Sequence, residues 1–216
     1  MASLARVYFE ALWRGERHLA SRMILDAVEA GTSVKEIYLQ VFQPVQCEVG
    51  RLCQLNRISI AQEHYCTAAT QLIMSRLYPH VFSSDKNGRT LVATCVAGDL
   101  HEIGVRMMAD FFEMAGWSTY YLSADTPHES VVSTIIEQKA HVLAISVAAA
   151  PQVKAVRELI REVRANLESA RVKILVGGYP FTLNPDLWRE VGADGSASDA
   201  ERAIALADEM AKEGAP

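Results

Sequence analysis

The chain has 216 residues, half of them apolar and 22% charged, with a formal net charge of −5. That length can bury one large or two small cores. The acidic balance argues against nonspecific nucleic-acid binding, and no apolar run approaches the roughly 18 residues of a membrane-crossing helix. The opening Met1-Ala2-Ser3-Leu4-Ala5-Arg6 lacks the basic segment and long apolar core of a secretory signal, so a cytoplasmic protein is expected. Cys47, Cys53, Cys66 and Cys95 show no Cys-x-x-Cys spacing and read as reduced, mostly core residues.

Residues 3 to about 80 carry no strand-like alternation, which predicts a helical unit. Leu4, Val7, Tyr8, Ala11 and Leu12 form one face of a first helix ending near Gly15. A second runs from about Glu16 to Gly31, with Leu19, Met23, Ile24, Ala27 and Val28 on one face. Ser33 with Glu36 three residues on fits a capping box for a third helix, in which Pro44 predicts a kink. A fourth runs from about Ser59 to Tyr78 and is closed by Pro79. Four helices with short turns make a bundle over 1–82.

A polar, turn-rich linker, 83–88, follows. Over 89–216, strand patterns at 91–96, 119–122, 142–147, 172–176 and, more weakly, 193–197 alternate with helical patterns at 103–116, 128–139, 152–168, 184–191 and 198–212. The class is α/β: a helical bundle, then a doubly wound, Rossmann- or flavodoxin-like sheet of five parallel strands.

The first strand breaks at Gly98, and from Ile103 apolar residues recur at helical spacing, so Asp99, His101 and Glu102 sit on a strand-to-helix turn. Open α/β sheets bind ligands at that edge. His101 can ligate a metal, and Asp99 can accept a proton from its other ring nitrogen. Gly104 presents no side chain to a bulky planar ligand. Ser146 ends the third strand and Gly177-Gly178 the fourth, so these strand ends converge on one edge.

The run Asp99-Leu100-His101-Glu102-Ile103-Gly104 resembles the Asp-x-His-x-x-Gly signature of the cobalamin (vitamin B12)-binding domain family. That family includes methionine synthase, mutases, corrinoid methyl carriers and B12 photoreceptors. The resemblance implies that His101 replaces the cofactor's own dimethylbenzimidazole on cobalt, with Asp99 behind it. It also implies that Ser146, Val147, Gly177, Gly178 and Tyr179 line the channel for the nucleotide tail. Ala148 stands where the family often has Leu.

The resemblance further implies that the bundle caps the other face of the corrin, where Cys53, Ile60, Glu63 and His64 are candidate contacts. Glu63-His64 and Asp125-Thr126-Pro127 resemble the light-sensing branch of CarH type and the stand-alone photoreceptors. That branch has Trp at the position of Cys53 and His at that of Gln54. A tryptophan covers ~200 Å², so cysteine leaves room for a bilin such as biliverdin, or for a different upper ligand such as water or methyl.

The function implied is a cobalamin-binding sensor, a B12-dependent photoreceptor in which light alters the upper cobalt ligand and thereby a domain or oligomer interface. Adenosylcobalamin is the expected cofactor form. A homo-oligomer or a signalling protein is the expected partner. No DNA binding is expected, because the bundle begins within a few residues of the N-terminus. The alternative is a corrinoid methyl-carrier subunit of a methyltransferase system; a storage or trafficking protein is a third reading.

Overall fold

Two blocks of buried apolar residues, one helical and one built on a sheet, divide the chain at Phe82 into compact units of residues 1–82 and 83–216. The computed structural model describes residues 2–82, 85–96 and 101–213.

The first unit comprises α1 (Ala2–Trp13), α2 (Arg17–Glu29), α3 (Val34–Ile37), a π turn (Tyr38–Phe42), α4 (Gln43–Gln54) and α5 (Ile60–Val81). Its core holds Tyr8, Leu12, Ile24, Ile37, Tyr38, Phe42, Ile73, Met74 and Leu77. Phe42 lies between two tyrosines, its ring centroid 5.4 Å from that of Tyr8 and 5.4 Å from that of Tyr38. The Ser33–Glu36 capping box is present: each side chain takes up a backbone N–H of the other residue. Ser59 and Gln62 form a second box at the start of α5.

One proline expectation, that for Pro79, needs correction. At Pro44, where a kink is expected, a π turn stands just before the proline, and in it the N–H of Gln43 reaches back to the carbonyl of Tyr38. A proline has no N–H to give and its ring displaces the carbonyl one turn earlier, so a local register shift is a cheap way to accommodate it. Pro79 does not end α5, which continues to Val81. A proline in a last turn forfeits one hydrogen bond, and the buried row Ile73, Leu77, Val81 outweighs that loss.

A chain of polar groups threads this apolar unit. Tyr8 Oη lies 2.9 Å from Thr70 Oγ1, Gln46 Nε2 donates to Thr70 Oγ1 at 2.7 Å, and Thr70 donates to the carbonyl of Cys66. Thr70 therefore accepts from Tyr8 and Gln46 while donating onward. Burial holds the Tyr8 phenol well above its ordinary pKa.

The second unit contains β1 (Thr90–Cys95), α6 (Ile103–Met114), β2 (Ser118–Leu122), α7 (His128–Glu137), β3 (Val142–Ser146), a 3₁₀ turn (Ala150–Gln152), α8 (Val153–Ala165), β4 (Lys173–Gly177), α9 (Tyr179–Leu183), α10 (Leu187–Val191), β5 (Gly195–Ser196) and α11 (Ala200–Glu213). The strands form one sheet in the order β2-β1-β3-β4-β5, every neighbouring pair parallel. The expected Rossmann-like sheet of five parallel strands is thus present.

Alternation along the strands splits the core into two layers. Leu91, Ala93 and Cys95 pack with Val105, Phe112, Trp117, Ala207 and Met210 of the α6 and α11 side. Val92, Leu143, Ile145, Ile174 and Val176 pack with Val131, Ile135, Leu159 and Ile160 of the α7 and α8 side. The predicted helix at 184–191 is present as the shorter α10, and a further short helix that was not predicted, α9, starts directly after Gly178. Five-residue helices carry too few apolar repeats to show in the sequence.

Glu113 is a carboxylate buried in this unit, 5% exposed. Lys86 pairs with it and also donates to the carbonyl of Trp117 at 3.0 Å, while Thr119 Oγ1 donates to it at 2.8 Å. Breaking a buried pair from one side leaves an uncompensated charge, so Lys86→Met should destabilise the second unit by ~3 kcal/mol in denaturant titration. Thr70→Val strands the Tyr8 hydroxyl and takes from the Gln46 amide the nearer of its two acceptors, and should cost the first unit ~1–3 kcal/mol in the same measurement.

Candidate cofactor site

The carboxyl edge of the sheet is level across its middle. Cys95 pairs with Ser146, and Ser146 with Gly177, so β1, β3 and β4 finish in one row. Because β1 and β3 are adjacent while β2 lies on the outer side of β1, the chain reverses its winding direction between β1 and β3. That crevice is where open α/β sheets bind ligands.

After β4 the backbone turns sharply at Gly178, with φ 107 and ψ 178. A β-carbon there would lie 2.0 Å from the carbonyl oxygen of Val147, so no other residue fits without moving β3. The N–H of Val147 in turn donates to Gly177 O at 3.1 Å. Ser146 is half-buried, Val147 buried, and Tyr179, the first residue of α9, 64% exposed. The expected set Ser146, Val147, Gly177, Gly178 and Tyr179 is therefore one contiguous patch.

His101 is exposed, two residues before α6. Its carbonyl lies 3.9 Å from the Cys95 thiol. Glu102 next to it accepts from Ser123 Oγ and, at 2.9 Å, from the backbone N–H of Ala124. This carboxylate thus ties the histidine's segment to the end of β2. The neighbouring Tyr121 hydroxyl is buried without a hydrogen-bond partner among the described residues, and burial, then the Glu102 carboxylate, raise its pKa. Ile103 is half-buried and Gly104 exposed, and a β-carbon on Gly104 would meet no described atom within 4 Å. Asp99 and Leu100 lie outside the described residues.

In the helical unit the candidates occupy one end of α4 and the start of α5. Cys53 is half-buried and Ile60 is 67% exposed. Glu63 is mostly buried and bound at 3.0 Å by the Thr67 hydroxyl, while His64 is exposed with Nε2 3.5 Å from Glu63 Oε2. Thr67 also lies 3.1 Å from Gln46 Oε1, which joins Glu63 to the Thr70–Tyr8 chain. The Cys66 thiol beside them is pushed up to about 11 by burial and then by the Glu63 charge. Sequence reasoning missed both the Glu102 tie and this chain, since each pairs side chains on different elements.

Residues 89–205 match the family described as B12 binding domain, and residues 4–78 match a second family of the same description. Dimethylamine corrinoid protein 2 of Methanosarcina mazei is 26% identical over 208 residues, which is 90% of this chain and 95% of that protein. Dimethylamine corrinoid protein 1 of the same organism is also 26% identical, over 90% of this chain and 94% of its own. The monomethylamine corrinoid protein of Methanosarcina barkeri shares the fold, with a TM-score of 0.83 at 21% identity over 96% of this chain and 98% of that one. A chain of the methanol:cobalamin methyltransferase complex of Methanosarcina barkeri gives a TM-score of 0.54 at 19% identity, over 97% and 80%.

These findings correct the expected branch. The matched relatives are corrinoid proteins named for methylamines, so the photoreceptor reading falls. The two features that suggested it have structural tasks. Glu63 anchors the polar chain of the helical unit, and Asp125-Thr126-Pro127 forms the turn into α7, with Asp125 at φ 61 and Thr126 donating to Ser123 O. Among the described residues no helix is long and apolar enough to cross a membrane. With both family matches spanning its two units, this chain belongs to the B12 binding domain family and binds cobalamin.

Proposed function

We propose that the chain is the corrinoid-carrying subunit of a methyltransferase system, loaded and unloaded by partner methyltransferases acting on small methylated amines. The observation that carries this reading is the likeness to dimethylamine corrinoid proteins over 90% of the chain.

The residues fit the cofactor. Gly104 is the second residue of α6, and glycine is a poor helix former. Neither a positive φ nor a crowded neighbour among the described residues demands it, and close approach of a large planar group supplies the missing reason. Gly178 keeps β3 and β4 level, leaving an open edge beside Ser146.

Bound there, cobalamin supplies a cobalt centre that accepts and releases a methyl group. In this reading His101 is the cobalt ligand, and Asp99 holds its other ring nitrogen and sets the tautomer. Glu102 keeps the histidine's segment fastened to the end of β2. Leu100 and Ile103 add apolar contact, and Gly104 gives clearance. Ser146, Val147, Gly177, Gly178 and Tyr179 take the nucleotide tail. Cys53, Ile60, Glu63 and His64 serve the upper side, where the group carried is methyl and neither adenosyl nor a bilin is required.

Apo-protein should take up hydroxocobalamin and, with a dimethylamine methyltransferase, dimethylamine and a reductant, give the spectrum of methylcobalamin. Cobalamin that binds but is never methylated by such a partner would overturn the carrier reading. His101→Ala should lower cobalamin affinity about tenfold or more, or leave the benzimidazole attached to cobalt in the visible spectrum. Gly178→Ala, which drives a methyl group into Val147 O, should lower both the stability of the second unit, by ~2 kcal/mol or more, and cobalamin uptake, measured by denaturant titration and by retention on gel filtration.

A further inference from the structure

Strand β2 pairs with β1 in a register that sets Tyr121 opposite Ala93. The tyrosine ring packs against the layer that holds Ala93, Cys95 and Val105, on the α6 side of the sheet. Around its hydroxyl stand the Glu102 carboxylate, the Ser123 hydroxyl and the Cys95 thiol. The hydroxyl oxygen is itself buried and makes no hydrogen bond among the described residues.

An unpaired buried donor costs ~1–3 kcal/mol, so its presence calls for a reason. Burial, and after it the Glu102 carboxylate, keep the proton on the phenol oxygen. Of the groups around it, the carboxylate is the strongest acceptor. Glu102 already takes up Ser123 Oγ and the backbone N–H of Ala124, both from the loop that leaves β2. It is also the residue next to His101, whose carbonyl lies 3.9 Å from the Cys95 thiol.

We propose that Tyr121 is a positioning residue for His101: in the cofactor-bound chain its hydroxyl donates to Glu102 and so fixes where the histidine's segment stands. Held by Ser123, Ala124 and Tyr121 together, the carboxylate has little freedom to swing, and the imidazole keeps its aim at the metal. Partners of this kind, one step behind a metal-ligating histidine, are commonly worth ~10–100-fold in affinity. The inference rests on His101 being the cobalt ligand.

The test is Tyr121→Phe in the full chain. Without cofactor, its melting temperature should not fall, because the hydroxyl removed there is unpaired. Cobalamin affinity should nevertheless drop about tenfold. In the electron paramagnetic resonance spectrum of the divalent-cobalt form, a smaller fraction of the metal should show splitting from histidine nitrogen. In a Glu102→Ala background the same substitution should change neither quantity, since the effect passes through that carboxylate. Affinity and histidine splitting left as in the wild type, or an undiminished effect of Tyr121→Phe in the Glu102→Ala background, would overturn the proposal while leaving His101 as ligand. Wild-type protein without histidine splitting would remove the ligand reading and this inference together.

Discussion

Val147 and Gly178 touch backbone to backbone, and the placement of the candidate site follows from that contact. A side chain at residue 178 would have to overlap the Val147 carbonyl, at 2.0 Å. Glycine lets β4 turn away immediately after pairing with β3, which keeps Cys95, Ser146 and Gly177 in one row. Residues about thirty to eighty apart in the chain are thereby gathered on one edge without any loop having to reach. His101 depends on the same edge through Glu102, whose carboxylate is bound by the loop leaving β2.

The middle of the sheet was legible because β1, β3 and β4 are buried on both faces and therefore read as short apolar runs between turns. The edge was legible for the same reason: Ser146 and Gly177-Gly178 interrupt those runs where burial ends. The capping box at Ser33 could be read because its partners are three residues apart. The π turn could not, since it depends on how Tyr38 and Phe42 are both buried next to Pro44. Nor could the continuation of α5 past Pro79, which Val81 secures by packing in the core.

The misread branch has a comparable cause. The lower site serves every member of the family alike, so the branch had to be judged from the cap, where the similarity rested on Glu63-His64. Side-chain pairing between helices leaves no local trace, and in the fold Glu63 is bound by Thr67, which adjoins Gln46, Thr70 and Tyr8. In this chain the carboxylate therefore has a structural task of its own. Hydrogen-bonded chains of this kind rigidify when every member is satisfied, so the chain sets the position of Glu63 within the helical unit.

The central claim is that one imidazole of this protein, that of His101, is bonded to cobalt. The direct measurement is the electron paramagnetic resonance spectrum of the cobalamin-loaded chain, reduced to divalent cobalt, with histidine labelled by ¹⁵N. Ligation by His101 predicts that the nitrogen splitting on each cobalt line changes from a triplet to a doublet on labelling, and that His101→Ala abolishes this change. A triplet that persists in the labelled wild-type protein would mean that the cofactor's own benzimidazole remains on the metal, contradicting the account.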